Sequence, residues 1–184
     1  MKKLFAATAL VIMFSGFAFA DLTNRADFVQ IINVDPKGGV QIKEPGYDFV
    51  TYKDTATIPY VLYGSKIIAG SKPVQIIFYQ MAVMELDKNQ GVVIAKDPVA
   101  DQIQVSKLQT PSENNRIKID LCDGKTAYFG GDSIIGLSLN EKSQSMFLSV
   151  LQGGLKIFSG ISYISDYSIG DVYEAKQDMS ITGN

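Results

Sequence analysis

The feature that most limits how this chain can fold is the period of its apolar residues, which is two. From Arg116 to Leu121, Ile117, Ile119 and Leu121 alternate with Arg116, Lys118 and Asp120. A run of this kind has one dry and one wet face only when it is extended. Asp123-Gly124 follows it, and both residues accept the positive φ of a hairpin turn. Ile134 to Leu139 repeats the pattern, with Ile135, Leu137 and Leu139 on one face. Val92–Ala95 and Ile103–Leu108 are shorter strands of the same type. Ile58–Tyr63 is read as a strand on its β-branched and aromatic content. Val74 to Leu86 reads as a central strand, apolar on both faces, after Pro73.

Other elements are few. Asn140 to Leu151 is the only helix candidate of length, and its Met146–Leu151 end, stopped by Gly153-Gly154, favours a strand. Gly64-Ser65-Lys66 and Gly70-Ser71-Lys72 mark two turns around Ile67-Ile68, and their residue order does not make a phosphate loop. The six prolines fall between residues 36 and 111, between the apolar runs or at their edges, where a missing N–H does least harm. The expected fold is all-β: an immunoglobulin-like antiparallel sandwich.

The chain begins with a positive pair, Lys2-Lys3, an uncharged apolar stretch and Ala18-Phe19-Ala20, the pattern of a secretory leader. The expected organisation is a leader over 1–20, an N-terminal extension over 21–36 and one domain over 37–184. Removing the leader takes the formal charge from −2 to −4 and leaves 164 of the 184 residues. So mild an acidity offers no footprint for nucleic acid.

The chain has no histidine and one cysteine, Cys122. This excludes Ser-His-Asp and Cys-His catalysis, His-based zinc ligation and an internal disulfide. No carboxylate pair is singled out by its surroundings. The expectation is therefore a non-enzyme without metal or cofactor. Cys122 is either a small residue packed at a strand end or a thiol for an intermolecular bond.

The two ends carry the remaining signal. Phe28, Gln30, Ile32 and Val34 lie on one face of an extended run stopped by Asp35-Pro36, with Val29, Ile31 and Asn33 on the other. At the far end, Gly170 precedes Tyr173, Ala175, Gln177, Met179 and Ile181 on one face of a last strand. Either end is read as an ordinary edge strand or as part of a strand-addition interface.

This layout resembles a pilin of the chaperone–usher pathway, of the alpha-class, colonisation-factor type. The strand ending Val34-Asp35-Pro36 is similar to the family's donor strand. Asp87-Lys88, Gly91-Val92-Val93, Asp97-Pro98-Val99 and Leu108-Gln109 with Pro111 resemble a family stretch in similar order. Gly170-Asp171-Val172-Tyr173 looks like the glycine-and-tyrosine C-terminal strand of pilins. The resemblance implies an incomplete sandwich finished by a donated strand. Phe28, Gln30, Ile32 and Val34 would form the donor, and Gly170, Tyr173, Ala175, Met179 and Ile181 would line the groove strand. It also implies related subunits, a periplasmic chaperone, an outer-membrane usher and a host receptor as partners, and a surface fimbria as destination. The alternatives are a self-contained periplasmic or surface sandwich that binds a ligand or partner, and an outer-membrane barrel, which 164 residues ending in Asn184 suit less well.

Overall fold

Alternation becomes architecture in a computed structural model that describes residues 26, 28–58, 60–110 and 116–177. The expected leader, Pro111, Met179 and Ile181 lie outside the described residues. The first half contains β1 (Val29–Ile32), β2 (Val40–Lys43), β3 (Val50–Tyr52), β4 (Lys66–Ala69), β5 (Val74–Phe78), β6 (Ala82–Leu86) and β7 (Gly91–Lys96). The second half contains β8 (Ile103–Lys107), β9 (Ile117–Leu121), β10 (Thr126–Phe129), β11 (Ile134–Asn140) and β12 (Ser145–Gln152). It closes with β13 (Gly154–Ser159), β14 (Ser162–Ser168) and β15 (Val172–Lys176). A 3-10 turn over Thr55–Thr57, capped by the Asp54 carboxylate, is the one helical piece among the described residues.

These strands form an antiparallel β-sandwich. One sheet has the order β1-β5-β6-β9-β10-β13-β14, and the other β15-β12-β11-β8-β7-β4-β2-β3. The inward positions of the first include Ile76, Phe78, Met84, Ile117, Ile119, Phe129 and Ile157. The second contributes Ile67, Ile94, Val105, Leu137 and Leu148, and all of these side chains are fully buried. One contiguous core results, as expected when two amphipathic sheets meet face to face.

The clearest alternating segments fold as read. In β9, Ile117, Ile119 and Leu121 point inward, and Gly124 (φ 75) turns the chain into β10. The 140–151 segment resolves into a turn and the strand β12. Asp97-Pro98-Val99 is a loop organised by one carboxylate. Asp97 accepts bonds from the Val99 and Ala100 amides and from the side chains of Gln102 and Gln104. These donors, that of Ala100 foremost, hold it well below the usual carboxylate range.

Two expectations need correction. Val74–Leu86 is not one strand but the hairpin β5–β6, closed by Met81 N–H donating to Phe78 C=O at 2.9 Å. The two-residue turn is Tyr79-Gln80, both with positive φ (52 and 58). Such turns normally use Asn or Gly, so no sequence signal marks this one. Because three residues, Tyr79 to Met81, separate the paired Phe78 and Ala82, parity is kept: Val74, Ile76, Phe78, Ala82 and Met84 all remain inward. The second correction concerns Ile58–Tyr63, whose described residues contribute only a single bridge at Leu62. The Val61 C=O is engaged by the Ala26 N–H at 2.8 Å instead.

Candidate functional site

The N-terminal segment forms an outer strand of the seven-stranded sheet. β1 pairs with β5 alone, Val29 opposite Phe78 and Ile31 opposite Ile76. Val29 and Ile31 are inward and buried, as is Ala26. Of the four residues read as one apolar face, Phe28 is half exposed, Gln30 is exposed and Ile32 is half-buried; only Val34 is buried. The amide of Gln30 suits the wet side, while the β-branched pair Val29 and Ile31 suits the core. Val34 returns inward because Asn33 adopts φ 56, which an asparagine tolerates, and so breaks the alternation. Asn33 also donates from Nδ2 to Gln75 Oε1 at 2.6 Å.

Phe28 is not idle outside. Its ring stacks on Tyr79, centroids 5.0 Å apart and planes 24° from parallel, and its carbonyl accepts the Tyr79 N–H at 2.9 Å. Tyr79 reaches across the sandwich to donate to Leu137 C=O at 3.4 Å. Burial, with Tyr63 and Asp101 nearby, pushes its hydroxyl up to about 12. The positive-φ turn thus presents the tyrosine that clamps the start of β1. Residues held in this region of φ cost on the order of 1–2 kcal/mol, which the surrounding contacts must offset.

The C-terminal segment is built differently. Gly170 (φ 91) lies in the tight turn that feeds β15, where Gly170 N–H donates to Val150 C=O and Ser168 N–H to the Asp171 carboxylate. β15 pairs only with β12, Leu148 opposite Tyr173 and Met146 opposite Ala175. Tyr173 and Ala175 are buried; Val172 is half exposed. Tyr173 meets Tyr167 edge to face at 5.6 Å, closing the gap between the last strands of the two sheets. Its hydroxyl donates to the Asp123 carboxylate, and Lys125 Nζ donates to both, at 2.8 Å to Tyr173 and 3.0 Å to Asp123. Burial and the bond to Asp123 push Tyr173 up to about 12. The Tyr173 and Asp123 bonds also raise Lys125.

Cys122 belongs to this end. It is half-buried, follows β9, and its thiol lies 3.6 Å from Ala175 C=O. Burial, followed by Asp123, raises its pKa, which disfavours the reactive thiolate. Beside β15 lies β14, seven residues long and mostly exposed, flanked by Ile161 and Ile169 and carrying Tyr163 and Ile164 outward.

The structure therefore separates the two sets of terminal residues. Strands β1 and β14 are the opposite ends of one sheet, and β15 ends the other beside β14. Asp123, Lys125 and Tyr79 were missed as terminal-strand partners. Asp123 reads as a turn residue, Lys125 carries no signal of its own, and Tyr79 reads as part of a continuous strand. Among the described residues no group of three or more His, Cys, Asp or Glu is placed to hold a metal ion, and no helix is long and apolar enough to cross a membrane.

Comparison with known protein families, curated proteins and solved structures finds no match to this chain.

Proposed function

We propose that this chain is a structural subunit of a surface fimbria and polymerises by exchanging its N-terminal strand between copies. The observation that carries the reading is the attachment of β1: one ladder to β5, then the Asn33 kink and the Asp35-Pro36 turn. Its anchors, Ala26, Val29 and Ile31, lie close together in sequence and are buried in the core from a strand that is paired on one side only. Burying each of the two β-strand anchors contributes roughly 1.5–3 kcal/mol before ordering costs. The same strand from a neighbour can take the same lane in the same register, with Val34 as its last anchor. A head-to-tail exchange of this kind is heterologous and grows as a filament.

An empty lane beside β5 would leave backbone groups unpaired and Ile76 and Phe78 thinly covered. A chain in that state needs a temporary strand, the role of a periplasmic chaperone delivering subunits to an outer-membrane usher. Export through the periplasm, adhesion and a receptor-contacting surface belong to the same proposal.

The test is light scattering of the mature chain beside a version lacking residues 21–34, with and without a synthetic peptide of residues 21–36. The expected result is assembly by the full chain, none by the truncated one, and capture of the peptide by the truncated domain. Fibres from the truncated chain would refute the donor role. A full-length monomer whose β1 amides resist exchange would instead favour the second reading, a self-contained ligand-binding sandwich, for which the seat of β1 in its own sheet speaks.

A further inference from the structure

The outer face of the seven-stranded sheet holds a cleft of about 350 Å³ that neither terminal strand explains. Its origin is in the register. Ile117, Phe129 and Leu155 point into the core, so the residues on either side of each point outward. One outward row runs Lys118, Tyr128, Lys156, Asp166 across β9, β10, β13 and β14. The next row is Arg116, Gly130, Gly154 and Ser168, and its two central members have no side chains. The cleft therefore has Tyr128, Lys156 and Asp166 along one wall and Arg116 and Ser168 at its ends.

The wall is preset. Tyr128 packs edge to face on Phe158 at 5.4 Å, and Phe158 on Tyr163 at 5.7 Å, an aromatic ladder on the outside of the sheet. Lys156 Nζ lies 3.5 Å from Asp166 Oδ1, with both side chains about half exposed. Nothing structural calls for glycine at 154: a Cβ there would meet only Tyr167 C=O, at an ordinary 3.4 Å. The adjacent Gly153 differs, with φ 73 and Ser133 crowding it at 2.5 Å. A glycine in a strand without a backbone reason often marks close approach of a ligand.

The lining selects the chemistry. A donor and an acceptor side by side, Lys156 and Asp166, match a group that both donates and accepts, such as a pair of neighbouring hydroxyls. Along this wall a simple anion would face Asp166 and a simple cation Lys156, with Arg116 at the cleft end, so a neutral group that both donates and accepts suits the wall best. An aromatic wall suits an apolar C–H face. The volume, near the lower end for ligand sites, fits a small ligand.

We propose that this cleft binds a saccharide, one pyranose ring lying over Gly130 and Gly154 against Tyr128, with hydroxyls on Lys156, Asp166 and Ser168. The site lies several strands from β1, and its existence does not depend on strand exchange.

Saturation-transfer NMR tests it on the full mature chain, whether monomeric or assembled, with the methyl glycosides of glucose, galactose, mannose and N-acetylglucosamine as probes. At least one glycoside should receive saturation on its ring C–H protons. Gly154→Leu, which puts a side chain on the floor, and Tyr128→Ala should each weaken binding about tenfold or more. Should Gly154→Leu fail to fold, Asp166→Asn on the exposed wall replaces it with the same expectation. No transfer to any of the four glycosides, or transfer that is undiminished in both variants, would overturn the proposal.

Discussion

The two terminal strands are both edge strands, yet they are held by different physics. β1 and the residues after it are fastened by apolar anchors and one aromatic stack; the polar contacts are backbone pairs, the exposed Asn33–Gln75 bond and the Val34 N–H to the Thr55 hydroxyl. β15 is fastened through Tyr173, whose hydroxyl joins Asp123 and Lys125 in a polar knot next to the core. The attachment of β1 rests on apolar anchors and a backbone ladder rather than on a side-chain knot beside the core. A hydrogen-bonded knot between named partners specifies its own strand. The difference teaches that one edge is held without a side-chain polar partner beside the core and the other through one, although sequence alternation is cleaner at the C-terminal end.

The comparison breaks most sharply at the anchors. Ile31→Ala should cost about 2–3 kcal/mol in chemical denaturation, near the lower end for a buried isoleucine because the strand is at an edge. On the other edge an outward position, Val172→Ala, should stay within about 0.5 kcal/mol, since Val172 is half exposed. Equal losses at both sites would mean that the edges are not held differently.

Removing the hydroxyl sharpens the C-terminal side. Tyr173→Phe leaves the ring but strips a partner from Asp123, whose side chain is 11% exposed. A loss of about 1–3 kcal/mol is expected by denaturation. Amide exchange should rise along β15 and not along β1.

Alkaline titration reads both ends together. Tyr79 and Tyr173 are each pushed up to about 12 from an ordinary value of 10, mainly by burial. The folded protein therefore holds their protons where the unfolded chain releases them. Their contribution is fully present below pH 10 and is lost as pH rises through about 12. Unfolding free energies over this window should fall, and Tyr173→Phe should flatten part of the slope. Stability that rises with pH there would contradict the assignment.

The smallest effect concerns the turn that carries the Phe28 clamp. Gln80→Gly removes a side chain from φ 58 and should stabilise the protein by up to about 1 kcal/mol. Thermal melts would detect this; a destabilised variant would mean that Gln80 makes contacts worth more than its strain.

Much of the scaffold was legible from the chain alone. The alternation in 116–121 showed which residues enter the core, because a strand has two faces and a charge cannot take the dry one; in 134–139 it did so for Ile135 and Leu137, while Leu139 is only half-buried. Turn chemistry at Asp123-Gly124 placed a hairpin for the same local reason. The Val74–Leu86 run shows the limit: its inward set was readable, but a segment apolar on both faces has no period to reveal a break. Its turn uses Tyr79 and Gln80, both at positive φ, and Tyr79 is held there by contacts with Phe28 and Leu137 that sequence does not contain. The face of β1 read from sequence, Phe28, Gln30, Ile32 and Val34, is not the one that enters the core within this chain: Val29 and Ile31 do, once β5 supplies a partner. Tertiary structure alone brought Asp123 and Lys125 to Tyr173, and aligned Gly130 with Gly154 as the floor of a cleft. Periodicity tells a strand which side is dry; only pairing across the sheet decides which residues become neighbours.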